Sequence, residues 1–382
     1  MIRQIFAKIE ELEQQYQQVW EAFCAIESPT LFKEGVDAAG EYIAQLAREK
    51  GWLVEYCRQD VAGDAVCITM NPDAAAAPLA ISGHVDTVHP VGLFGTPAVR
   101  REGDTIHGPG VMDCKGGIVA GLLAMDALAQ CGFAVRPVLL LLQSDEEVGS
   151  RLSDKRTIRW ICEKAKDAAA FLNLEPYTPG FACLQRKGIV SYRFTIKGVE
   201  AHASMCATEG ASAIADAAHR ILELEKLKDA NGITCNCGVI SGGTVVNTVP
   251  GACTFDVNFR FVSPDQFDWI AAFVEKLAQT EYIPGCVCTA QRLSMRVAMQ
   301  LEQRNLDLLE TCNRIFAENG LPQLEWRSQN GGSDAADATT FGIPCIDSLG
   351  VAGSNIHSVH ESASLSSLGE AARRIAAVAC GL

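Results

Sequence analysis

The sequence lacks the long apolar runs that cross membranes. Of its 382 residues 48% are hydrophobic, yet no apolar stretch reaches the roughly 20 residues that a transmembrane helix needs. The charged, helix-patterned segment Met1–Glu13 has no uninterrupted apolar core of the kind found in a secretion signal. We therefore expect no membrane partner and a cytoplasmic location.

Positive charge is also scarce. Lysine and arginine total 32 against 46 aspartates and glutamates, which gives a net charge of −14. This balance argues against a nucleic-acid backbone as a partner. It suits cation binding, although a solvated acidic surface explains it equally well.

Cysteine is abundant, with 16 residues, but the spacing of a common zinc knuckle is missing. Cys235-x-Cys237 and Cys286-x-Cys288 have one-residue spacers, and each pair lies in a strand-like segment where alternate side chains share a face. Because the sequence shows no export signal, we expect reduced thiols rather than disulfides.

Hydrophobic periodicity predicts the main elements of the fold. The predicted helices span residues 4–25, 35–49, 116–131, 155–166, 210–227, 265–280 and 302–319, with a last helix ending near residue 380. The predicted strands span residues 52–57, 65–70, 79–82, 138–142, 168–174, 189–196, 232–241, 252–261, 287–297 and 344–349.

The order of these elements predicts an α/β fold with an insertion. In residues 1–187 strands and helices alternate, which indicates a mostly parallel sheet with helices on both faces. In residues 188–300 alternating strands surround two helices, which indicates a small α+β domain with antiparallel edges. The first pattern returns in residues 301–382. We therefore expect a discontinuous catalytic domain interrupted by an inserted domain.

Residue types that bind metals follow the predicted strands. His84 and Asp86 come straight after one strand and point the same way, so the carboxylate can fix the tautomer of a metal-bound imidazole. Alone, this pair is more typical of a polar loop. Glu146 and Glu147 follow another strand, at the sheet edge where α/β proteins bind ligands. Adjacent carboxylates repel, so ionisation of both needs a cation or a proton-transfer role nearby.

Three further candidates lie at the same predicted edge. Asp113 stands in a glycine-rich loop before a helix, where an N-cap is the commoner explanation. Glu175 ends a strand, and His357 follows one, with His360 as its local competitor. Two histidines and three carboxylates suit two divalent ions bridged by one carboxylate, and Glu146 is then available as a general base.

Seven motifs along nearly the whole chain repeat a known pattern. They are Gly83-His-Val-Asp-Thr-Val88, Gly108-Pro-Gly110, Met112-Asp-x-Lys-Gly-Gly117, Asp145-Glu-Glu-x-Gly-Ser150, Leu174-Glu-Pro176, Gly331-Gly-Ser-Asp-Ala335 and His357-x-x-x-Glu361. With them the sequence resembles the M20 family of dinuclear zinc peptidases and deacylases, and within it the glutamate carboxypeptidase branch of the carboxypeptidase G type.

The resemblance implies a zinc-peptidase-like catalytic domain that holds two divalent ions, Zn²⁺ with Co²⁺ or Mn²⁺ as alternatives. It implies one ion on His84 and Glu175, a second on Glu147 and His357, and Asp113 as the bridge. The His-x-x-x-Glu spacing selects His357 over His360.

The resemblance also implies roles for residues beside the metals. Glu146 activates the water, Asp86 supports the ligands, and the peptide bond between Asp113 and Cys114 is cis. His107 stands where relatives usually have tyrosine or another residue, and we assign it no role.

The inserted domain then resembles a lid and dimerisation domain, which implies a homodimer. His202 would stabilise the oxyanion in the partner's active site. Asn247, Arg260 and Gly332 match substrate-binding positions, with Arg260 suited to a terminal carboxylate.

The implied function is hydrolysis of an amide bond, with release of a C-terminal amino acid from a small peptide. The alternative within the family is an N-acyl-amino-acid deacylase of the acetylornithine or succinyl-diaminopimelate type. A non-catalytic binding protein on the same fold would have lost a ligand or Glu146, and every one of these positions is intact.

Overall fold

A computed structural model describes residues 1–228 and 232–382, which form two compact units. Unit 1 comprises residues 1–185, 301–328 and 333–382, and unit 2 comprises residues 186–300 and 329–332. Within the described residues, no helix combines the length and the apolarity needed to span a bilayer.

The helices are mostly amphipathic. In chain order they are α1 Ile2–Ala25, α2 Lys33–Glu49, α3 Gly116–Gln130, α4 Arg156–Ala165, α5 Ala213–Glu225, α6 Pro264–Gln279, α7 Gln303–Glu318, α8 Ala335–Thr340 and α9 Ser367–Gly381. Helix α3 is the exception, because every residue from Gly116 to Leu128 is buried. A helix that is apolar all round belongs in a core, and α3 packs against α1 and α9.

The strands range from two to ten residues. In chain order they are β1 Leu53–Cys57, β2 Ala65–Met70, β3 Leu79–His84, β4 Arg100–Glu102, β5 Thr105–His107, β6 Val138–Gln143, β7 Ala170–Asn173, β8 Phe181–Arg186, β9 Gly188–Lys197, β10 Ala201–His202, β11 Thr234–Gly242, β12 Thr248–Val249, β13 Ala252–Phe261, β14 Val287–Arg296, β15 Glu325–Gln329, β16 Cys345–Ile346, β17 Gly353–Ser354 and β18 Ser362–Ser364.

Unit 1 is built on a six-stranded sheet in the order β1-β2-β6-β3-β7-β16. The pairs from β6 to β16 are parallel, and β1 and β2 form an antiparallel edge. This confirms the predicted α/β class with a mostly parallel sheet. His84 at the end of β3 pairs with Gln143 at the end of β6, so the loops that follow these strands leave the sheet at the same edge.

Unit 2 contains an antiparallel sheet in the order β11-β13-β9-β14. Along β13 every second residue from Cys253 to Phe261 is buried, which is the period of a strand with one face on a core. Helices α5 and α6 pack against this sheet. Each begins at a serine, Ser212 or Ser263, whose hydroxyl accepts a first-turn N–H, as an N-cap does.

Candidate metal centre

Strand ends and loops of unit 1 bring the five predicted ligands and Glu146 together. Ligand atoms of His84, Asp113 and Glu147 lie within 4.8 Å of one another, and so do those of His84, Glu146 and Glu175. His84 belongs to both groups, so the two groups form one continuous cluster.

Asp113 lies between two histidines. Its Oδ1 is 3.1 Å from Nε2 of His84, and its Oδ2 is 3.1 Å from Nε2 of His357. Each histidine also faces a glutamate: His84 Nε2 is 3.7 Å from Glu175 Oε1, and His357 Nε2 is 3.3 Å from Glu147 Oε2. Two pairs of one imidazole and one carboxylate therefore share the carboxylate of Asp113. This donor set fits two divalent ions such as zinc.

The loop that carries Asp113 has an unusual backbone. The peptide bond between Asp113 and Cys114 is cis, which confirms the prediction. Gly110 has a φ of +69°, and a Cβ there would lie 2.8 Å from Thr87 Cγ2, so glycine is required at this position. A Cβ at Gly117 would lie 2.4 Å from the carbonyl oxygen of Leu174. These two glycines let the loop and the start of α3 approach the neighbouring segments closely.

Asp86 holds the backbone of the glutamate pair. Its buried carboxylate accepts the N–H of Glu146 at Oδ1 and of Glu147 at Oδ2, each at 3.1 Å. The hydroxyl of Thr30 donates to Oδ2 at 2.8 Å. For His84, the nearer acceptor is the carbonyl of Asp86, 2.9 Å from Nδ1, and the carboxylate Oδ1 lies at 3.5 Å. Asp86 thus orients the histidine mainly through its main chain and the glutamates through its side chain.

Two residues beside the cluster were not predicted from the sequence. Glu361 is buried, and its carboxylate accepts the N–H groups of Met112 and Asp113. His89 donates to its other oxygen across 2.7 Å. The His-x-x-x-Glu spacing contained a signal for Glu361, but only as a marker of His357. The N–H of His360 donates to the hydroxyl of Ser358 at 3.2 Å, and His107 pairs with Ser362 on β18.

The pKa values show that the cluster is crowded with charge. Burial raises the pKa of Asp113, but bonds from His357 and His84 outweigh it and hold this pKa well below its usual range. Burial likewise raises the pKa of Glu147, despite its bond to His357. Bonds to Asp113 and Glu147 raise the pKa of His357 to about 10. The contacts between imidazoles and carboxylates therefore favour positive charge within the cluster.

Comparison with known proteins finds relatives of one family. The M20-type peptidase dimerisation domain matches residues 184–286. Carboxypeptidase G2 of Pseudomonas sp. (strain RS-16) is 28% identical over 339 residues, 87% of this chain and 80% of that protein. Acetylornithine deacetylase of Myxococcus xanthus is 28% identical over 228 residues, 56% of this chain and 57% of that protein.

A solved structure shows the same fold. Aminopeptidase PepT from Bacillus cereus ATCC 10987 has a TM-score of 0.78 at 19% identity and covers 96% of this chain and 97% of its own. The chain thus resembles M20-family peptidases in sequence and in fold. These likenesses indicate an amide-bond hydrolase, and M20 metallopeptidases depend on metal.

The four remaining predicted site residues of this hydrolase lie in unit 2, as two pairs. His202 on β10 pairs with the residue after Asn247, and the carbonyl of Asn247 accepts the N–H of Ala203 at 2.9 Å. Nδ1 of His202 lies 2.8 Å from the hydroxyl of Ser204. Arg260 donates to the carbonyl of Asn330 at 2.5 Å, two residues before Gly332.

Metal binding to this hydrolase is expected to release protons. The pKa of His357 is raised to about 10, and that of His84 lies well above 6.5 because the nearby acidic groups, Cys114 first and then Asp113 and Asp86, outweigh burial. Both imidazoles are then protonated at pH 7 and must lose a proton to bind a metal. Burial raises the pKa of Glu147 to about 7, so this carboxyl also loses part of a proton. We expect about two to three protons per two ions at pH 7 and an affinity that rises with pH. Calorimetric titration with zinc in buffers of different ionisation enthalpy measures the number of protons released. A binding enthalpy that does not depend on the buffer would contradict the expectation.

Proposed function

We propose that this M20 hydrolase is a dinuclear metal-dependent exopeptidase that releases a C-terminal amino acid. The observation that carries the proposal is the placement of Asp113 between two histidine–glutamate pairs. His84 and Glu175 would hold one ion and Glu147 and His357 the other. The ions, proposed to be Zn²⁺ with Co²⁺ or Mn²⁺ as alternatives, supply positive charge that acidifies a water molecule and polarises the scissile carbonyl.

Glu146 is the proposed general base. It is 5% exposed, and its backbone is fixed by Asp86 at 3.1 Å. Its carboxylate takes a proton from the attacking water and delivers it to the leaving nitrogen, as general acid–base catalysis requires. His202 is the proposed donor to the oxyanion that forms on the carbonyl oxygen.

Arginines gathered in unit 2 support a substrate with a carboxylate. Arg260 donates to Asn330, Arg186 donates to the carbonyl of Gly331 at 3.4 Å, and a Cβ at Gly332 would lie 2.7 Å from Cδ of Arg296. Burial lowers the pKa of Arg260, and the like charge of Arg296 lowers it further. A substrate carboxylate would relieve this repulsion and form a charge-assisted pair. We propose that Asn247 and Gly332 complete the contacts to the substrate.

The match of residues 184–286 to a dimerisation domain supports a homodimer through unit 2. All 16 cysteines are unpaired, which supports a reducing, cytoplasmic environment.

A deacylase is the second candidate, supported by the likeness to acetylornithine deacetylase. Both candidates use the same metal ligands and both act on substrates that end in a carboxylate. The exopeptidase is preferred because the likeness to carboxypeptidase G2 covers 87% of this chain and that to the deacetylase 56%.

Substrate screening of the metal-loaded protein tests the choice. We expect peptides with a C-terminal glutamate to be hydrolysed at a higher kcat/KM than N-acetyl or N-succinyl amino acids. A preference for the acyl amino acids would replace the exopeptidase by the deacylase. Failure to hydrolyse either class would remove both proposals. Metal analysis of the same sample measures how many ions are bound per chain in the active protein.

Arg260→Gln sharpens the test. Because a hydrogen bond to a charged group contributes about 1.5–3 kcal/mol, we expect kcat/KM to fall by roughly 10- to 150-fold. Peptides with an amidated C-terminus should show no such difference. Arg193→Gln is the matched control, since Arg193 lies on β9 in the same unit and pairs with Asp256 at 2.7 Å. Equal effects of the two substitutions would rule out Arg260 as the carboxylate ligand.

A further inference from the structure

The carboxylate of Glu361 ties together three separate segments of unit 1. Oε1 accepts the N–H of Met112 at 2.9 Å and of Asp113 at 3.1 Å. Oε2 lies 2.7 Å from Nε2 of His89. The side chain is 1% exposed. A carboxylate removed from water to this degree persists only when its oxygens are well bonded, and here both are.

Two of these segments carry groups of the metal cluster. The segment at Met112 and Asp113 carries the bridging carboxylate. The loop that ends at Glu361 begins at His357, which faces that carboxylate at 3.1 Å. Backbone bonds also join these segments: the N–H of Gly108 donates to the carbonyl of Glu361 at 3.4 Å, and β5 pairs with β18. The Glu361 side chain adds the bonds at Asp113 itself. Its loss would therefore free the main chain of the bridging aspartate while the pairing of β5 with β18 persists.

The arrangement repeats the one around Asp86. There a buried carboxylate accepts the consecutive N–H groups of Glu146 and Glu147. At Glu361 a buried carboxylate accepts the consecutive N–H groups of Met112 and Asp113. In both cases a peptide segment with a metal-ligand side chain is held by its main chain, so the ligand side chain remains available to the ion.

His89 orients the carboxylate in turn. It is 4% exposed, and its ring meets the edge of Phe94 with centroids 5.0 Å apart. Packing therefore fixes the imidazole, and its bond to Oε2 leaves Oε1 directed at the two N–H groups.

We infer that Glu361 is a positioning residue of the metal centre: it sets the distance between Asp113 and His357 and thereby the affinity for the ion they share. The inference rests on the proposed metal centre but not on the proposed substrate. Partners that orient ligands typically change metal affinity or activity by about 10- to 100-fold when they are removed.

The test compares Glu361→Ala with Glu361→Gln by competition of the zinc-loaded protein with a chelator. We expect Glu361→Ala to bind the more weakly held ion about 10- to 100-fold less tightly. Glu361→Gln retains an oxygen that accepts from both N–H groups, and its amide faces His89, whose other tautomer accepts that bond. It should stay close to the wild-type affinity. With a hydrolysed substrate, Glu361→Ala should lower kcat and leave KM unchanged, since Glu361 is not proposed to touch substrate.

Asp104→Ala is the matched control. Asp104 is an exposed carboxylate that accepts the N–H of Ser366 at 3.0 Å, so it holds the same part of the chain without contacting the metal loop. It should leave chelator resistance unchanged. The inference would be overturned if folded Glu361→Ala retained zinc against the chelator as well as the wild type does. It would also be overturned if Glu361→Gln lost as much zinc affinity as Glu361→Ala. If Glu361→Ala does not fold, a weakened zinc affinity of Glu361→Gln would still overturn the inference. Chelator competition needs no substrate, so failure of the hydrolase proposal leaves this result interpretable.

Discussion

Glu146→Gln should retain both metal ions and lose turnover. A general acid–base residue contributes about 10²- to 10⁴-fold to the rate, so we expect kcat to fall by at least about 10²-fold. The amide of glutamine has nearly the shape of the carboxylate, and the backbone bond from residue 146 to Asp86 is unaffected by the substitution. The fold and the ligand positions should therefore persist. Stopped-flow or discontinuous assays measure the turnover rate, and metal analysis of the same preparation measures the number of bound ions.

The neighbouring glutamate provides the matched control. The geometry alone allows Glu146 to be a ligand, because its carboxylate lies within 4.8 Å of ligand atoms of His84 and Glu175. Glu147 instead faces His357 at 3.3 Å. We expect Glu147→Gln to lose one ion as well as activity, whereas Glu146→Gln loses activity alone.

Two outcomes would decide against this division of roles. Loss of an ion from Glu146→Gln would make Glu146 a metal ligand and leave the base unassigned. Turnover within a few-fold of the wild type, with both ions present, would show that proton transfer does not depend on Glu146.

Long periodic elements were predictable from the sequence because their signal repeats. Strand β13 was predicted at 252–261 and is observed at Ala252–Phe261, since every second residue faces the core. Helix α1 was predicted at 4–25 and is observed at Ile2–Ala25. Its buried residues follow the helical period, and only Ile2 and Arg3, which precede the first buried residue Ile5, were missed.

Short elements were not predictable, since two or three residues have no period. Strands β17, β18, β5 and β4 form a four-stranded sheet that no pattern indicated. The strand predicted at 344–349 pairs with its neighbour only at Cys345–Ile346. After that, the N–H and carbonyl of Asp347 bond to the backbone of Cys183 at 3.0 and 2.9 Å. The N–H of Leu349 then donates to the carbonyl of Asn173 on β7 at 3.1 Å, so the pairing is interrupted at Asp347 by a bond to another segment.

For the metal centre, residue types at strand ends were readable, but the bonds that orient them were not. The bond from Asp113 to Glu361 joins residues 248 positions apart, and that from Thr30 to Asp86 joins residues 56 apart. Local pattern holds no trace of such pairs. The sequence predicted which side chains are suited to bind an ion, and the structure adds which buried carboxylates hold their backbones.

The second large effect is expected in unit 2, where Asp216→Ala should destabilise the unit by about 3–5 kcal/mol. Asp216 and Arg220 form an ion pair of 2.6 Å on α5, with side chains 0% and 1% exposed. Arg220 also donates to the carbonyls of Leu277 and Thr280, at the end of α6 and just beyond it, and lies 5.2 Å from the ring centroid of Tyr282. Removal of the aspartate leaves a buried guanidinium without its counter-charge, and hydrogen exchange by mass spectrometry resolves the loss in unit 2.

Two variants separate the cost of the unpaired charge from the value of the pair. Asp216→Leu combined with Arg220→Met removes both charges and fills the space with apolar atoms, so its loss should be smaller than that of Asp216→Ala. Glu223→Ala breaks the exposed pair with Lys226 on the same helix, and such pairs contribute less than about 1 kcal/mol. If Asp216→Ala destabilises unit 2 no more than Glu223→Ala does, water must reach the guanidinium of Arg220. A double variant as unstable as Asp216→Ala would instead place the stabilisation in the bonds from Arg220 to the end of α6.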